Sequence, residues 1–252
     1  MNNDYIISLV EKNKRVDNRR LDEYRKIKIE NDISKNAEGS AKCCIGDTEV
    51  IVGVKLEVGT PYPDMPNEGT IIVNAELSPI ANPKFELGPP GTEATELARI
   101  VDRGIRESKC IDFKKLCIRE GEKVWLILID IYIINDDGNL IDASALAALN
   151  ALKNTVFPKV ENDKVNYNER TKERLKLNNL PVTCTVYRVN KKILVDVNSK
   201  EEDSFDARLS VAVNNGKINA LQKGGDKGLS IKDIEEMIDI AIKKEKELRK
   251  FV

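Results

Sequence analysis

Residues 124–134 read VWLILIDIYII, and residues 142–157 read DASALAALNALKNTVF. The first run is almost continuously apolar, which favours a β-strand covered on both faces. The second has alanine and leucine on nearly every side of a helical wheel, which favours a buried helix with Asp142 as its N-cap. A buried helix beside such a strand predicts an α+β layer rather than a repeat array or a coiled coil.

Four short segments upstream of this layer have the composition and alternation of β-strands. Two of them flank a Gly46-Asp47 turn, which indicates a hairpin, and we expect all four to form one antiparallel meander. The proline-rich stretch 59–66 cannot be a central strand and should form a rigid excursion before the last of them. The four segments are 25–30, 41–45, 49–56 and 70–76.

The second half of the chain again predicts strands followed by a helix. An Asn215-Gly216 pair indicates a hairpin between the last two strands, and Ser230 with Asp233 forms a variant capping box for the closing helix. A short surface helix, expected to dock, is predicted at the N-terminus. We therefore predict two βα-type halves joined by a polar linker. The halves are residues 1–160 and 180–252, and the linker is residues 161–179.

The overall composition excludes several classes of function. The 252 residues carry 41 Lys+Arg against 42 Asp+Glu, so nucleic-acid binding requires a local basic patch rather than a generally cationic surface. The chain has no histidine, which removes Ser-His and Cys-His nucleophile pairs and His-dependent metal sites. Its five cysteines lack C-x-x-C spacing, and no apolar run is long enough for a membrane span, which predicts a soluble, cytoplasmic protein with reduced thiols.

The predicted helix at 93–108 carries such a patch. Arg99, Arg103 and Arg106 share one face, and apolar residues at helical spacing form the opposite stripe. Between positions 99 and 119 there are seven Lys/Arg and three Asp/Glu, a local excess of +4. Planar guanidinium groups are suited to bidentate contact with phosphate. The alternative is a solvated helix face whose arginines pair with its own acidic residues.

Two other groups of side chains could bind a metal ion or take part in catalysis. A cluster of carboxylates in the second half could hold Mg²⁺ or supply a general acid, although a solvated loop explains it equally well. Residues 135–139 superficially resemble a calcium loop, but Leu146 stands where the bidentate glutamate is needed. The carboxylates are Asp196, Glu201, Glu202, Asp203 and Asp206.

The segment 96–106, ELARIVDRGIR, resembles the helix motif of RNase PH proteins, which are phosphate-dependent 3′→5′ exoribonucleases. Four more segments are similar to the non-catalytic RNase PH-like subunit of the archaeal exosome, and the resemblance covers most of residues 15–250. It implies an RNase PH-like fold, ribosomal protein S5 domain 2-like, with mixed sheets packed on helices. The segments are ISKNAEGSA at 33–41, GTPYPD at 59–64, NEG at 67–69 and AELSPIA at 75–81.

Two departures from the catalytic members of that family bear on activity. Those members carry Gly-Thr/Ser-Arg at the start of the buried helix to bind the attacking phosphate, whereas Gly138 is followed here by Asn139 and Leu140. They also carry two aspartates six positions apart; the first corresponds to the region 202–203, and the second falls on Arg208. Leucine cannot donate to phosphate, and an arginine inverts the charge of a carboxylate site.

The resemblance therefore implies a non-catalytic structural and RNA-binding subunit of the archaeal exosome ring, which supports phosphorolytic degradation by a catalytic RNase PH-like partner and helps to shape its active site. Arg99, Arg103 and Arg106 would hold single-stranded RNA by its phosphates, with Arg106 more suited to a structural or interfacial role. The implied ring has six members, as a trimer of heterodimers, with sheet edges and the N-terminal helix as candidate contacts.

The implied partners include cap subunits with S1 or KH domains. No cofactor is expected on this chain, because Mg²⁺ and phosphate would act at the partner's active site. One alternative is that the chain is itself a phosphate-dependent exoribonuclease with Asp196 or Asp203 as the acid. A small-molecule enzyme ranks last, because the sequence has no glycine-rich phosphate loop.

Overall fold

The computed structural model describes residues 3–161 and 164–252. The helices in these ranges are α1 (Asn3–Glu11), α2 (Thr92–Glu107), α3 (Leu140–Asn154), α4 (Ser199–Glu202) and α5 (Ile231–Leu248). Short 3₁₀ turns cover Phe113–Leu116 and Arg249–Phe251. The strands are β1 (Ile27–Asn31), β2 (Gly39–Ile45), β3 (Thr48–Gly59), β4 (Thr70–Glu76), β5 (Cys117–Arg119), β6 (Lys123–Asn135), β7 (Val156–Glu161), β8 (Lys164–Arg174), β9 (Val182–Val189), β10 (Lys192–Val195), β11 (Ala207–Asn214) and β12 (Lys217–Gly224).

The first sheet has the order β1-β2-β3-β6-β4, and β5 also pairs with β6. Strands β1, β2 and β3 form the predicted antiparallel meander. The fourth predicted strand is not its continuation: β4 runs parallel to β6, which separates it from β3. The excursion at 60–69 carries the chain past the place beside β3 in the sheet. The long strand β6 occupies that place and pairs with β3 from Glu49 to Gly59.

The prediction that residues 124–134 are covered on both faces is wrong. Ile127, Ile129 and Ile131 are buried, whereas Tyr132 and Ile134 on the other face are 45% and 37% exposed. Helix α3 packs on the inner side of this sheet, and the alternate side chains of β6 on the outer side are partly buried or exposed. The apolar side chains on the outer face of β6 are therefore partly exposed, although the apolar run is almost unbroken.

Helix α3 is the centre of the molecule and packs against β2 and β3 on one side and β9 on the other. Its buried residues explain why its sequence has no polar face. Asp142 is not its N-cap, contrary to the prediction. The helix begins at Leu140, after Asn139 in a left-handed conformation, and Asp142 is buried in its first turn. The carboxylate is drawn inward because it accepts hydrogen bonds from Tyr24 Oη (2.7 Å) and Thr185 N (2.8 Å).

The second sheet is antiparallel, with the order β10-β9-β11-β12. The predicted hairpin is confirmed: Asn214 pairs with Lys217, and both turn residues have positive φ, 51° at Asn215 and 74° at Gly216. The capping box of Ser230 and Asp233 at the start of α5 is also confirmed. The larger hydrophobic core contains residues of both sheets, so the two halves share one interior.

The predicted linker at 161–179 contains strand β8, which pairs with β7 as a two-stranded ribbon. Its polar side chains lie largely outside the core while the backbone ladder satisfies the peptide groups, so a polar composition did not exclude a strand here. At the N-terminus, α1 places Ile6 and Val10 against Leu194 and Val197 of the second half. This helix docks within its own chain. Cys43, Cys110 and Cys184 are buried free thiols, whereas Cys44 and Cys117 are only partly buried.

Candidate nucleic-acid interface

A groove of about 620 Å³ runs between the N-terminal half of α2 and strand β12. Arg99 and Arg103 line it from the helix, and Gln222 lines it from the strand. Both arginines are exposed, and neither has a hydrogen-bond or ion-pair partner within residues 3–161 and 164–252. Positions i and i+4 on a helix are neighbours, so one extended anionic chain can reach both guanidinium groups.

Arg106, the third arginine on the predicted basic face of α2, is held by contacts within its own chain. It donates to Asp102 through Nη2 (2.8 Å) and Nε (3.1 Å), and Nη2 also reaches the carbonyl oxygen of Ile71 (3.1 Å). Its guanidinium lies 5.5 Å from the ring centre of Phe113. The hydrogen bonds with Asp102 raise the pKa of Arg106 above its ordinary value. The basic face thus separates into two open arginines and one structural arginine.

Arg208 lies on β11 and forms an ion pair with Glu96 of α2, with 2.7 Å between Nη2 and Oε2. The side chains are 14% and 32% exposed. The other terminal nitrogen of Arg208, Nη1, is buried and has no hydrogen-bond partner among the described residues. Glu96 lines the groove that contains Arg99, so this pair forms part of the groove's wall.

A second cavity, of about 430 Å³, lies on the other side of this ion pair. It is lined by both residues that depart from the catalytic pattern, Leu140 and Arg208. Five carboxylates and only two basic side chains line it, so its surroundings are acidic. The carboxylates belong to Glu93, Glu96, Asp136, Glu202 and Asp203, and the basic groups to Lys84 and Arg208.

Glu202 lies beside the start of α3 in this cavity. Burial, reinforced by the charge of Asp136, raises the pKa of Glu202 to about 7, against the opposing effect of the Asn139 backbone amide. A carboxylate therefore stands near the helix N-terminus, and the neighbouring position 140 contributes only an apolar side chain. Position 140 therefore supplies no side-chain donor to a phosphate at the start of α3.

The predicted acidic cluster is divided among several ion pairs. Asp196 is fully buried and accepts from Arg19 Nη1 (2.8 Å), Arg25 Nε (2.9 Å) and Asn139 Nδ2 (3.0 Å). Burial alone would raise the pKa of Asp196, but the hydrogen bonds and charge of Arg25 hold it below its ordinary value. Such a carboxylate is not suited to donate a proton at neutral pH.

The other members of the cluster point elsewhere. Glu201 pairs with Arg15, Asp203 with Lys84 at 3.3 Å, and Asp206 with Lys227 at 2.6 Å. In the part of the chain that the structure describes, no group of three or more Asp, Glu or Cys side chains is arranged to hold a metal ion.

Sequence reasoning missed the roles of Arg19 and Arg25, which tie the N-terminal segment to Asp196 in the second half. It also missed the contact between Glu96 and Arg208. No local sequence signal indicates these ion pairs, because the two members of each pair lie far apart in sequence.

Comparison with known proteins agrees with this architecture. Residues 23–158 match domain 1 of the 3′ exoribonuclease family, and residues 179–244 match domain 2. The chain belongs to the 3′ exoribonuclease family. The resemblance to RNase PH proteins stated from the sequence is thereby confirmed, and so is the predicted α+β fold class.

Similar relatives include the exosome complex component Rrp42 of Methanosarcina acetivorans, 47% identical over 247 residues that cover 98% of this chain and 91% of the relative. The protein of the same name from Archaeoglobus fulgidus is 46% identical and covers 98% of this chain and 93% of the relative.

Two solved structures are close in fold. One chain of the Archaeoglobus fulgidus exosome with RNA bound to the active site has a TM-score of 0.92 and 45% identity, covering 98% of this chain and 96% of that chain. A chain of an archaeal exosome core has a TM-score of 0.88 and 43% identity, covering 99% of this chain and 95% of that chain. No helix in the described ranges is long and apolar enough to cross a membrane.

Proposed function

We propose that this chain is a non-catalytic structural and RNA-binding subunit of an archaeal exosome ring, in which it alternates with a catalytic RNase PH-like partner and helps to shape that partner's active site. One observation carries the proposal. Leu140 and Arg208 line the same acidic cavity, while Arg99 and Arg103 are unpaired among the described residues in the adjoining groove.

The cavity is poorly suited to phosphorolysis. The attacking phosphate needs donors at the start of α3, where Leu140 offers none and Glu202 adds a carboxylate. Arg208 stands where the second catalytic carboxylate is expected. Loss of one essential donor commonly lowers a rate by about 10²-fold or more, so the combined changes favour an inert site.

The groove is suited to RNA held by its backbone. Arg99 and Arg103 can each contact a phosphate, and none of the described residues that line this groove is aromatic and able to stack on a base. Contacts to phosphate fix position but read no sequence. We therefore expect binding of single-stranded RNA with little base preference.

The proposed assembly is a six-membered ring, a trimer of heterodimers, capped by subunits with S1 or KH domains. Because α1 buries Ile6 and Val10 within the chain, we assign the ring contacts to sheet edges such as β4 and β12. This chain would need no cofactor of its own, and Mg²⁺ and phosphate would act at the partner's site.

Reconstitution tests the proposal against the alternative of an active enzyme. The chain, the catalytic RNase PH-like subunit from the same organism, and an equimolar mixture are each incubated with 3′-tailed RNA, Mg²⁺ and phosphate. We expect no nucleoside diphosphates from the chain alone and more from the mixture than from the partner alone. Release by the chain alone at the rate of the mixture would refute the proposal.

A further inference from the structure

We infer that Arg208 and Arg106 are positioning residues for RNA binding: each holds a carboxylate of α2 that would otherwise pair with the open arginine Arg99. The inference rests on the proposed role of the groove that Arg99 lines. It assigns a function to the arginine that replaces a catalytic carboxylate, and it explains why Arg99 is free.

Glu96 is the first of the two carboxylates. It precedes Arg99 by three positions and lines the same groove, which is the spacing at which helical Glu and Arg side chains form ion pairs. Arg208 holds it instead, at 2.7 Å, in a contact where the arginine is only 14% exposed. The limited exposure of Arg208 weakens solvent screening and favours this pairing over the exposed one with Arg99.

Asp102 is the second carboxylate. It follows Arg99 by three positions, which is again the spacing of neighbouring side chains on a helix. Arg106 engages both of its oxygens, at 2.8 and 3.1 Å, and is itself fixed by the carbonyl oxygen of Ile71. The two carboxylates at helical spacing from Arg99 are thus both occupied by other arginines.

The sign of the charge at position 208 is decisive. A carboxylate there, as in catalytic relatives, would face Glu96 with like charge and drive it towards Arg99. A cation at 208 removes a competitor for RNA phosphate from the groove. Arg208, which replaces a catalytic carboxylate, therefore supports RNA binding in the groove.

A double-mutant cycle tests the pair. Arg208→Gln, Glu96→Gln and the double variant are assembled with the catalytic partner, and binding of fluorescein-labelled oligoadenylate is measured by fluorescence anisotropy at low salt. We expect Arg208→Gln to weaken binding by about two- to fivefold, the range for a partly exposed ion pair that must be broken. The double variant should return to within about twofold of wild type, because no free carboxylate remains beside Arg99.

Additive effects would overturn the inference, because an arginine that merely adds positive charge or stability weakens binding equally whether residue 96 is Glu or Gln. Arg208→Lys, which keeps the cation, should stay near wild type. If Arg208→Gln does not fold, the cycle of Arg106→Gln with Asp102→Asn gives the same test with the same expected rescue. Failure of the proposed function is separable: Arg99→Ala with Arg103→Ala would then leave RNA affinity unchanged.

Discussion

Replacing both open arginines, Arg99→Ala with Arg103→Ala, should lower the salt dependence of RNA binding. The structure leaves both guanidinium groups unpaired and exposed in one groove, so we assign one phosphate contact to each. Each contact to single-stranded nucleic acid contributes about 0.7 to the slope of log K against log salt. Loss of two contacts should reduce that slope by about 1.4.

The affinity change follows from this slope. Raising the salt about fourfold, from about 50 to about 200 mM, should cost the wild-type ring about sevenfold more affinity than the double variant loses. The assay is anisotropy of labelled single-stranded RNA at four or more salt concentrations, on rings whose assembly is checked by size-exclusion chromatography. The variant should assemble normally, because neither side chain contacts another described residue through a hydrogen bond or ion pair.

Arg106→Ala combined with Asp102→Asn is the control, since it removes a paired arginine from the same helix without freeing a carboxylate beside Arg99. Arg106 is committed to Asp102 and to the carbonyl oxygen of Ile71, so this change should leave the slope unchanged within about 0.3 and cost a modest amount of stability. An unchanged slope in the Arg99→Ala, Arg103→Ala variant, or an equal decrease in the control, would refute the division into two open arginines and one structural arginine.

Three further predictions concern the second cavity and the ion pairs behind it. Leu140→Arg should remain inactive in the nucleoside diphosphate assay, because Arg208 still occupies a carboxylate position in an acidic cavity; phosphorolysis by this single variant would contradict us. Asp196→Asn should lose about 3–5 kcal/mol in urea unfolding at neutral pH, because it leaves two arginines without their buried partner. The folded pKa of Asp196 lies below its ordinary value of 3.8. The stabilisation by this carboxylate is therefore complete above the unfolded pKa and is lost as the pH falls through the folded pKa, so the difference in unfolding free energy between wild type and variant should close only below pH about 4. A constant difference down to pH about 2 would argue against the ion pair. Gly138→Ala should destabilise the fold by more than about 1 kcal/mol, since φ is +79° and an added Cβ would lie 2.7 Å from backbone atoms, whereas Gly228→Ala, with nothing within 4 Å, should be nearly neutral by thermal unfolding.

Elements with strong local signals were predicted well from the sequence. The hairpin at Asn215-Gly216, the capping box at Ser230, and the helix of α2 each depend on residues within a few positions of one another. Such signals act through backbone conformation and nearby hydrogen bonds, which the chain meets locally. They held because distant contacts form alongside the local ones without displacing them, as where Arg188 pairs with Asp233 and the capping box stays formed.

Predictions that depended on distant neighbours were wrong. Asp142 has the side chain and position of an N-cap, but Tyr24 and Thr185 offer it buried donors, so it turns inward. The apolar run of β6 was assigned two covered faces, and only the packing of α3 shows that one face is open. The linker at 161–179 stays a prediction; strand β8 lies within it, because a solvated ribbon needs a backbone partner rather than an apolar sequence.

The sequence by itself determined the family, because a family motif depends on residue type at fixed positions, and it identified Leu140 and Arg208 as departures from the catalytic pattern that the resemblance implies. Only the tertiary structure decided which arginines are free. Arg99, Arg103 and Arg106 share a helix face, yet one is bound and two are open, and Arg208 from a distant strand occupies the neighbouring Glu96. The physical reason is that an ion pair forms with the partner that packing brings close and shields from water, and helical spacing alone does not name that partner.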